Sequence, residues 1–533
     1  MKKVMKKQLK QPNFDAMSKE EVVSFHLEQM QSMQKEVDQL SEAYDVLVEN
    51  ILKMKRDKFG KKSERNVIKD QLTLFNEVEL CASDLVEEEI VSEVSVEEAV
   101  VPSKTKRRKR ITQESFESLE VVEVIHEVEQ LEEGYEQIGQ KERKELCYQP
   151  AKWYIKHHIY PVYRKELEDA SSEIQVAAGS LPLLKKSMAT SEVVAHIMSQ
   201  KYNLGLPLYR VERDFKAQGL TLSRQTMSNW LLDVSEQYIE PLVHRLKEHL
   251  LMNDILHADE TTLQVLNHQD GSVNETSYMW LYRSGYLDQP IILYDYQPGR
   301  GYEYPKAFLK DYHGYLHSDG YAVYQKLEAV VQIGCLAHGR RKLVEALEII
   351  KDKKTLSYAI ASELVRQMNY LFKLEKATVK MTLEQKQAYR EKDIKEAMDV
   401  LKEKLQKAQE DILPHSALGK AINYNLNQFE SFERILLDPR LELTNNIAER
   451  SIKPFVIGRK NWLFSNTTRG AKSSAMIYSL IQTALENKLN VVKYLTFVFE
   501  SMKDQTEYTA TFIDTLLPIS ESLPKEIRVN KNI

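Results

Sequence analysis

The stretch ILHADETTLQVL, residues 255–266, decides the fold of this chain. Apolar and polar residues alternate on both sides of Asp259 and Glu260, a pattern that predicts a half-buried β-strand. Neighbouring side chains of a strand point to opposite faces, so the two carboxylates need separate explanations. Asp259 is expected to face a site, and Glu260 to lie at the surface or to support that site from the other face.

Further strands are predicted after this one, and they define an α/β fold. Three successive strands are followed by strands that alternate with helices, which is typical of an RNase H-like arrangement. The predicted α/β catalytic domain spans 251–490, carries a charge-rich helical insertion over about 345–440, and is followed by a C-terminal tail at 491–533. The segments read as strands after the first are SYMWLYRSG (277–285), PIILYDYQPG (290–299), YLHSDGYAVY (315–324) and the start of VVQIGCLAHGRR (330–341).

Two acidic residues occupy comparable places in this pattern. Asp259 lies on the first strand and Asp319 at the end of the fourth, and these strands are neighbours in an RNase H-like sheet. Adjacent carboxylates favour a bound cation, and hard oxygen ligands suit Mg²⁺ or Mn²⁺. A third acid, for which Glu449 is the candidate, would complete a site for two ions. Asn446 and Glu449 also fit a capping box, and each aspartate also fits an ordinary surface position.

Bulk composition indicates a globular protein of several domains. The chain has 533 residues, 42% of them hydrophobic and 29% charged, with a formal net charge of −5. Its cysteines, which are too few for a disulfide scaffold, indicate a reducing compartment; they are Cys81, Cys147 and Cys335. No segment approaches the roughly 18 apolar residues of a membrane span, so an intracellular protein without a membrane partner is expected.

The N-terminal region, residues 1–70, carries the signature of a coiled coil. Apolar residues recur at alternating spacings of three and four, which favours self-association as a homodimer or higher oligomer over a helix packed on its own chain. The seam consists of Met30, Met33, Val37, Leu40, Tyr44, Leu47, Ile51 and Met54.

Residues 71–112 are predicted to form a linker, with nine acidic residues in 76–100 and six basic residues in 104–110. Contact of the basic cluster with phosphates is the alternative.

Residues 176–250 are predicted to be helical, with two helices joined by a short turn. Gly219 suits the end of the first helix, and Ser223 suits the N-cap of RQTMSNWLLDV (224–234). Arginine pairs well with guanine, and asparagine or glutamine with adenine, so a helix-turn-helix DNA reader fits this layout. An ordinary helical hairpin with a solvated face fits equally well. The exposed side chains in question are Arg224, Gln225, Ser228 and Asn229.

Several motifs together resemble bacterial DDE transposases of the insertion-sequence-66 family. In the C-terminal half they are HADETTLQVL (257–266), LHSDGYAVY (316–324), CLAHGRRK (335–342) and the long segment from NNIAERSIKP to MIYSLIQTA (445–484). FGKKSER, QLTLFNE and PLYRVERDFKAQGLTLSRQTMSNWL occur in the family's order in the N-terminal half. The resemblance covers nearly the whole chain. It implies an RNase H-like catalytic domain with a helical insertion between the second and third acids.

The resemblance implies a DNA transposase. Carried over by motif, the catalytic and metal-binding residues are Asp259, Asp319 and Glu449, which would hold two Mg²⁺ or Mn²⁺ ions. The enzyme would bind the ends of its insertion sequence, cleave a strand and join the freed 3′-hydroxyl to target DNA. Trp462 is expected in the core. The basic residues expected near DNA phosphates are Arg340, Arg341, Arg459, Lys460, Arg469 and Lys472.

Residues 113–175 depart from the family pattern, which usually has a cysteine-rich zinc site here. Only Cys147 is present, and it forms no convincing ligand set with His157 and His158. No zinc is therefore expected in this small β segment. Cys335 and His338 form a separate C-x-x-H pair, interpreted as a buried thiol and a supporting histidine rather than half of a metal site.

Two alternatives to transposition follow from the same residues. One is a DNA-binding regulator whose catalytic domain is inert, and the other is an RNase H-like nuclease that cleaves without joining strands. The resemblance also implies a cytoplasmic protein associated with the bacterial nucleoid. Small accessory proteins of the same insertion sequence are further expected partners.

Overall fold

The computed structural model describes Met30, Met33, Leu47 and residues 153–158, 162–166, 172–176, 181–267, 276–285 and 289–529. Contacts divide the chain into two compact units. One comprises Met1–Glu64 with Pro182–Arg528, and the other Arg65–Leu181 with Val529–Ile533. Within the described residues, no helix combines the length and the apolar character that a membrane span requires.

Three positions of the predicted coiled-coil seam belong to the described residues. Met30, Met33 and Leu47 are helical, and their exposed fractions are 67%, 64% and 56%. These apolar side chains are therefore not covered by their own chain. The coiled coil stays a prediction, because its other positions lie outside the described residues.

The second unit contains a β-hairpin. Strands β1 (Val162–Glu166) and β2 (Ser172–Val176) pair antiparallel. The hairpin lies in the region predicted as a small β segment. His157 and His158 are exposed, and Cys147 lies outside the described residues.

The first unit begins with helices whose ends follow the predicted signals. Gly219 has φ of +82°, and the amides of Gly219 and Leu220 close a Schellman motif on Lys216 and Phe215 at 3.1 and 2.9 Å. The Ser223 hydroxyl accepts the amide of the third helical residue at 3.1 Å, as predicted for an N-cap. The helices are α1 (Ser191–Met198), α2 (Leu208–Ala217), α3 (Arg224–Val234) and α4 (Glu240–Leu251).

A central sheet follows, with the strand order β5-β4-β3-β6-β7. The first three strands in sequence pair antiparallel, whereas β3–β6 and β6–β7 pair parallel. The short strand β8 extends the sheet by pairing parallel with the end of β3. The strands are β3 (Ile255–Asn267), β4 (Thr276–Ser284), β5 (Ile292–Gln297), β6 (Tyr315–Ser318), β7 (Val331–Gly334) and β8 (Ser465–Thr467).

Helices cover this sheet and form the insertion. The fourth strand is shorter than predicted, because the chain turns after Ser318 and forms a short helix. Helices α8 to α11 occupy the predicted insertion. The helices are α5 (Glu303–Phe308), α6 (Ala322–Gln325), α7 (Leu336–Ile349), α8 (Leu356–Ala377), α9 (Leu383–Tyr389), α10 (Lys395–Asp411), α11 (Ala417–Glu433), α12 (Asn446–Trp462), α13 (Thr468–Glu486), α14 (Val491–Met502) and α15 (Ala510–Leu516).

A buried arginine holds the chain where it leaves the insertion. The Arg390 guanidinium pairs with Glu375 and donates to the carbonyl oxygens of Ile435, Asp438 and Leu441 at 3.1, 3.1 and 2.7 Å. A buried guanidinium is stable only when its donors are satisfied, so these bonds fix the path of the returning segment. That segment leads directly into α12.

Two regions outside the predicted catalytic domain pack into the first unit. The tail predicted at 491–533 forms helices α14 and α15, because the apolar residues of α14 recur at helical spacing and are buried; Tyr494, Leu495, Val498 and Phe499 are all 0% exposed. Helix α14 packs on α1, and α13 packs on β5. The helices of 176–250 therefore belong to the same compact unit as the sheet and do not form a separate domain.

Candidate active site

Asp259 lies on β3, and Asp319 comes directly after the neighbouring strand β6. Strands β3 and β6 are parallel, with His257 opposite His317, two residues before Asp259 and Asp319 respectively. The same face of neighbouring strands therefore carries both acids. Backbone amides orient them: Asp259 Oδ1 accepts the amide of Glu260 and Asp319 Oδ1 that of Tyr321, each at 2.9 Å.

Glu449 approaches this edge from the first turn of α12, which packs on β3. Its Oε1 is buried without a hydrogen-bond partner and lies 3.7 Å from His338 Nε2. Its Oε2 lies 3.7 Å from Arg341 Nη2. The helix N-cap is Asn445, which makes no side-chain capping bond, so the capping-box interpretation of Asn446 and Glu449 is wrong.

The acids share one electrostatic environment. The pKa of Asp259 is raised well above its ordinary value, first by burial and next by the charge of Glu260. The charges of Asp319 and Glu449 raise this pKa further. Neighbouring carboxylates and an unpartnered carboxylate oxygen fit a divalent cation with hard oxygen ligands.

Asn445 joins the elements that carry the acids, and sequence reasoning missed it. It is 1% exposed and donates from Nδ2 to the carbonyl oxygen of Ala258 at 2.7 Å. Its Oδ1 accepts from His257 Nδ1 at 2.9 Å, and its backbone amide donates to Cys335 Sγ at 3.2 Å. The start of α12 is thereby fixed against β3 and the start of α7.

Cys335 and His338 lie against Glu449. Among the residues that the structure describes, these three form the group whose potential ligand atoms lie within 4.8 Å of one another. Burial raises the pKa of the Cys335 thiol to about 11, so the sulfur is protonated near neutral pH and accepts backbone amides. Burial also lowers the pKa of His338, against the opposing charge of Glu449. Both residues therefore lie beside the third predicted acid, and the supporting role stays a prediction.

Two stacked histidines lie on the neighbouring strands β3 and β6, each two residues before one of the aspartates. The rings of His257 and His317 lie 4.2 Å apart with an interplanar angle of 7°. Burial lowers the pKa of His257 to about 3, and it also lowers that of His317. Both rings are therefore neutral near pH 7, and neither neutralises the acids above them.

Glu260 supports the site from within the protein and is not a surface residue. Its side chain is 2% exposed and forms an ion pair with Arg300. Arg300 Nε donates to Glu260 Oε1 at 2.9 Å, and the Tyr324 hydroxyl donates to Oε2 at 2.5 Å. Arg300 also stacks on the Tyr321 ring, with its Cζ 3.8 Å from the centroid. Burial and the charge of Asp319 raise the pKa of Glu260.

The predicted phosphate-binding residues differ in their exposure and in their contacts within the protein. Arg459 Nη1 lies 3.2 Å from the hydroxyls of Thr261 and Thr262 on β3. Lys460 and Lys472 are exposed. Arg340 donates to Asn369 of the insertion at 2.6 Å. Arg469 is held in ion pairs with Asp233 and Glu236, so it ties α13 to the helices before the sheet.

The sequence also matches known protein families. The family described as "Transposase IS66 family" matches residues 186–473, more than half of the chain. The chain belongs to the IS66 transposase family. A second description, "Transposase C of IS166 homeodomain", matches residues 46–124, where the sequence predicts the end of the coiled coil and the linker. Membership in this family implies a transposase that binds DNA.

Relatives of this IS66 transposase occur in Sinorhizobium fredii. "Uncharacterized protein y4jD" is 28% identical over 398 residues, which cover 72% of this chain and 75% of that protein. "Uncharacterized protein y4qI" is 28% identical over 397 residues, or 72% of this chain and 71% of that protein. No solved structure matches the chain.

The predicted base-reading side chains of the IS66 transposase lie on the first turns of α3. Arg224, Gln225 and Asn229 are exposed, and Ser228 is half-buried. Gln225 Nε2 donates to Asn229 Oδ1 at 3.0 Å, which aligns two amides on one exposed face.

The helical insertion also lies against the backbone beside Asp319, which the sequence did not indicate. A Cβ on Gly320 would lie 2.3 Å from the hydroxyl of Tyr424 on α11, so only glycine fits beside Asp319. Burial, with the charge of Asp319 as the next cause, raises the pKa of Tyr424 to about 12. The helical insertion thus supports the backbone that carries the second acid.

Proposed function

We propose that this protein binds the ends of its insertion sequence and catalyses divalent-metal-dependent strand cleavage and strand transfer into target DNA. The observations that support the proposal are the raised pKa of the buried Asp259 on β3, to which the charges of Asp319 and Glu449 both contribute, and the burial of Glu449 Oε1 on α12 without a hydrogen-bond partner. Family membership gives the substrate class, DNA.

The sheet supports an RNase H-like catalytic domain. Its first three strands are antiparallel, the fourth pairs parallel with the first, and the fifth extends that edge. This is the order expected from the sequence for an RNase H-like fold. The acids lie on the first strand, after the fourth strand and on a later helix, the distribution that the resemblance implies.

Asp259, Asp319 and Glu449 would hold two Mg²⁺ or Mn²⁺ ions. Bound divalent ions supply Lewis acidity, which activates the attacking oxygen and stabilises the leaving oxygen of a phosphodiester. The chain itself would position the carboxylates. Asn445 fixes the start of α12, and the backbone amides of Glu260 and Tyr321 orient the two aspartates. The buried histidines stay neutral, so they leave the carboxylate charge available for cations.

DNA binding is assigned to two surfaces. Near the acids, Arg340, Arg341, Arg459, Lys460, Arg469 and Lys472 would contact phosphates. Arg340, Arg341 and Arg469 also have partners within the protein. On α3, Arg224, Gln225, Ser228 and Asn229 would read bases at the ends of the insertion sequence. Exposure of Met30, Met33 and Leu47 supports a homodimer or higher oligomer through the N-terminal helices. Accessory proteins of the same insertion sequence are further proposed partners.

Incubation with labelled insertion-sequence ends, target plasmid and Mg²⁺ or Mn²⁺ tests the proposal. Joined products are expected from the wild type and none from Asp259→Asn, which should still shift the labelled ends. Nicks without joined products would indicate a nuclease. Shifted but intact DNA from the wild type would indicate an inert DNA-binding regulator. Either result would contradict strand transfer.

A further inference from the structure

The chain makes a strained turn where α12 ends. Leu463 has φ of 65° and ψ of −50°, and the amide of Phe464 donates to the carbonyl oxygen of Trp462 at 2.8 Å. This is a γ-turn of the positive-φ type, which is rare and strained for a residue with a branched side chain. Such strain persists only where neighbouring structure enforces it, and it clusters at functional sites.

The strained turn exposes apolar side chains. Leu463 is 63% exposed and Phe464 is 42% exposed. Trp462, just before them, is half-buried and packs edge-to-face on Phe455 with centroids 5.4 Å apart. Burial in the protein therefore does not explain why two large apolar residues occupy this turn.

The two sides of the turn are anchored. The amide of Leu463 donates to the carbonyl oxygen of Arg459 at 2.7 Å, which ends α12. On the other side β8 pairs with β3, with Ser465 opposite Val265 and Thr467 opposite Asn267. Leu463 and Phe464 thus project from a rigid tip, defined here as the wedge turn.

The charge around the wedge turn favours a polyanion. Between Glu449 and Glu486 the sequence contains six Lys or Arg residues and no Asp or Glu. Lys460 and Asn461 are exposed just before the turn. Apolar side chains on a rigid tip with cationic flanks match proteins that insert Leu or Phe between base steps and unstack a duplex.

The wedge turn is separated from two of the acids by the length of one strand segment and of one helix. Val265, beside β8, is on the same strand as Asp259, and a spacing of about 3.3 Å per residue puts it about 20 Å from that acid. Glu449 and Leu463 lie near opposite ends of α12, about 21 Å apart at about 1.5 Å per residue. A duplex rises about 3.4 Å per base pair, so this distance corresponds to about six base pairs.

We propose that Leu463 and Phe464 form an apolar wedge that enters the base stack of the bound insertion-sequence end. The point of entry lies about six base pairs from the phosphate held at Asp259, Asp319 and Glu449. Unstacking there lets the duplex bend toward the acids. This inference rests on the proposed function and adds a step of DNA distortion to it.

Fluorescence of 2-aminopurine tests the wedge without chemistry. The base analogue is placed singly at positions three to nine base pairs from the cleavage point, and binding is followed in EDTA. A rise in fluorescence is expected at positions near six with the wild type. It should be lost with Leu463→Gly and Phe464→Ala, while end affinity stays within a few-fold. Leu383→Ala, which removes a leucine that is 54% exposed on the insertion, should retain the signal.

The Leu463→Gly variant distinguishes loss of the wedge from loss of folding stability. Glycine adopts positive φ without strain, so this variant should melt at or above the wild-type temperature. Its cleavage should fall roughly tenfold or more, because unstacking a base step costs a few kcal/mol. A duplex with a mismatch at the wedge position should restore cleavage by Leu463→Gly and Phe464→Ala.

The outcomes distinguish the two proposals. If the wild type binds and cleaves the ends with flat 2-aminopurine fluorescence, or if mismatched duplexes do not rescue the variants, the wedge is wrong and the proposed function stands. If the wild type does not bind the ends at all, both proposals fall. A position-specific signal with mismatch rescue supports the wedge.

Discussion

Asn445 donates its side-chain amide to the carbonyl oxygen of Ala258 across 2.7 Å, although 187 positions separate them in the chain. Ala258 immediately precedes Asp259, and Asn445 occupies the N-cap position of the helix whose first turn carries Glu449. One hydrogen bond therefore links the backbone beside the first acid to the helix of the third. The separation of these two acids depends on that link.

We expect Asn445→Ala to lower cleavage roughly hundredfold, because displacement of a catalytic group by about 1 Å has an effect of that size. Unsatisfied groups at His257 and Ala258 should also lower the free energy of unfolding by about 1–3 kcal/mol. Cleavage assays and urea denaturation measure these effects. Asn487→Ala is the control, since Asn487 donates to Pro290 at 2.8 Å away from the acids. Equal loss of cleavage in both variants would contradict a positioning role.

We expect Asp259→Asn to abolish cleavage and to stabilise the metal-free protein. The raised pKa of Asp259 means that ionising this buried carboxyl beside other acids is unfavourable, and asparagine removes that cost. Thermal melts in EDTA should show a higher melting temperature for the variant, and added Mn²⁺ should stabilise the wild type more. Asp311→Asn, at an exposed position, should change neither quantity. A lower melting temperature for Asp259→Asn in EDTA would refute this account.

The pH dependence of the free energy of unfolding should also reflect the raised pKa of Asp259. Because the folded-state pKa of Asp259 lies above its ordinary value of 3.8, the folded protein binds more protons between these two values. The free energy of unfolding in EDTA should therefore fall as pH rises through this window. Denaturation at a series of pH values, compared with Asp259→Asn, isolates the contribution of this residue. Parallel curves for the two proteins would rule it out.

The ion pair between the buried Glu260 and the partly exposed Arg300 predicts coupling between its members. Arg300→Met should lower the free energy of unfolding by about 1–3 kcal/mol, because Glu260 would stay buried without its counter-charge. Glu260→Gln combined with Arg300→Met should cost less than the sum of the single changes. A double-mutant cycle from urea denaturation measures this difference. Additive effects would show that the two side chains act independently.

Gly320→Ala should disturb the second acid through the insertion. The added Cβ would lie 2.3 Å from the Tyr424 hydroxyl, and overpacking of this kind costs about 1–3 kcal/mol. Cleavage should fall with stability, and Tyr424→Phe should restore part of both in the double variant. Gly470→Ala is the stability control, because its Cβ would meet Thr467 Oγ1 at an ordinary 3.4 Å. An unchanged Gly320→Ala would mean that the insertion does not support Asp319.

The sequence by itself determined the strands of the sheet, the helix ends at Gly219 and Ser223, and the choice of Asp259, Asp319 and Glu449 as candidates. These features depend on alternation, on local capping and on motif order, which are properties of short segments. The helical insertion could also be predicted, because its charge-rich helical pattern persists over many turns.

Only the tertiary structure decided what surrounds those candidates. Asn445, Tyr424 and the Glu260–Arg300 pair act across long separations in the chain, and nothing local marks a side chain that bonds to a distant strand. The environment of Glu449, the helices after residue 490 and the packing of the helices before residue 250 likewise depend on tertiary contacts. Burial and charge at a site are sums over neighbours that the fold brings together, and a linear pattern contains no distances between them.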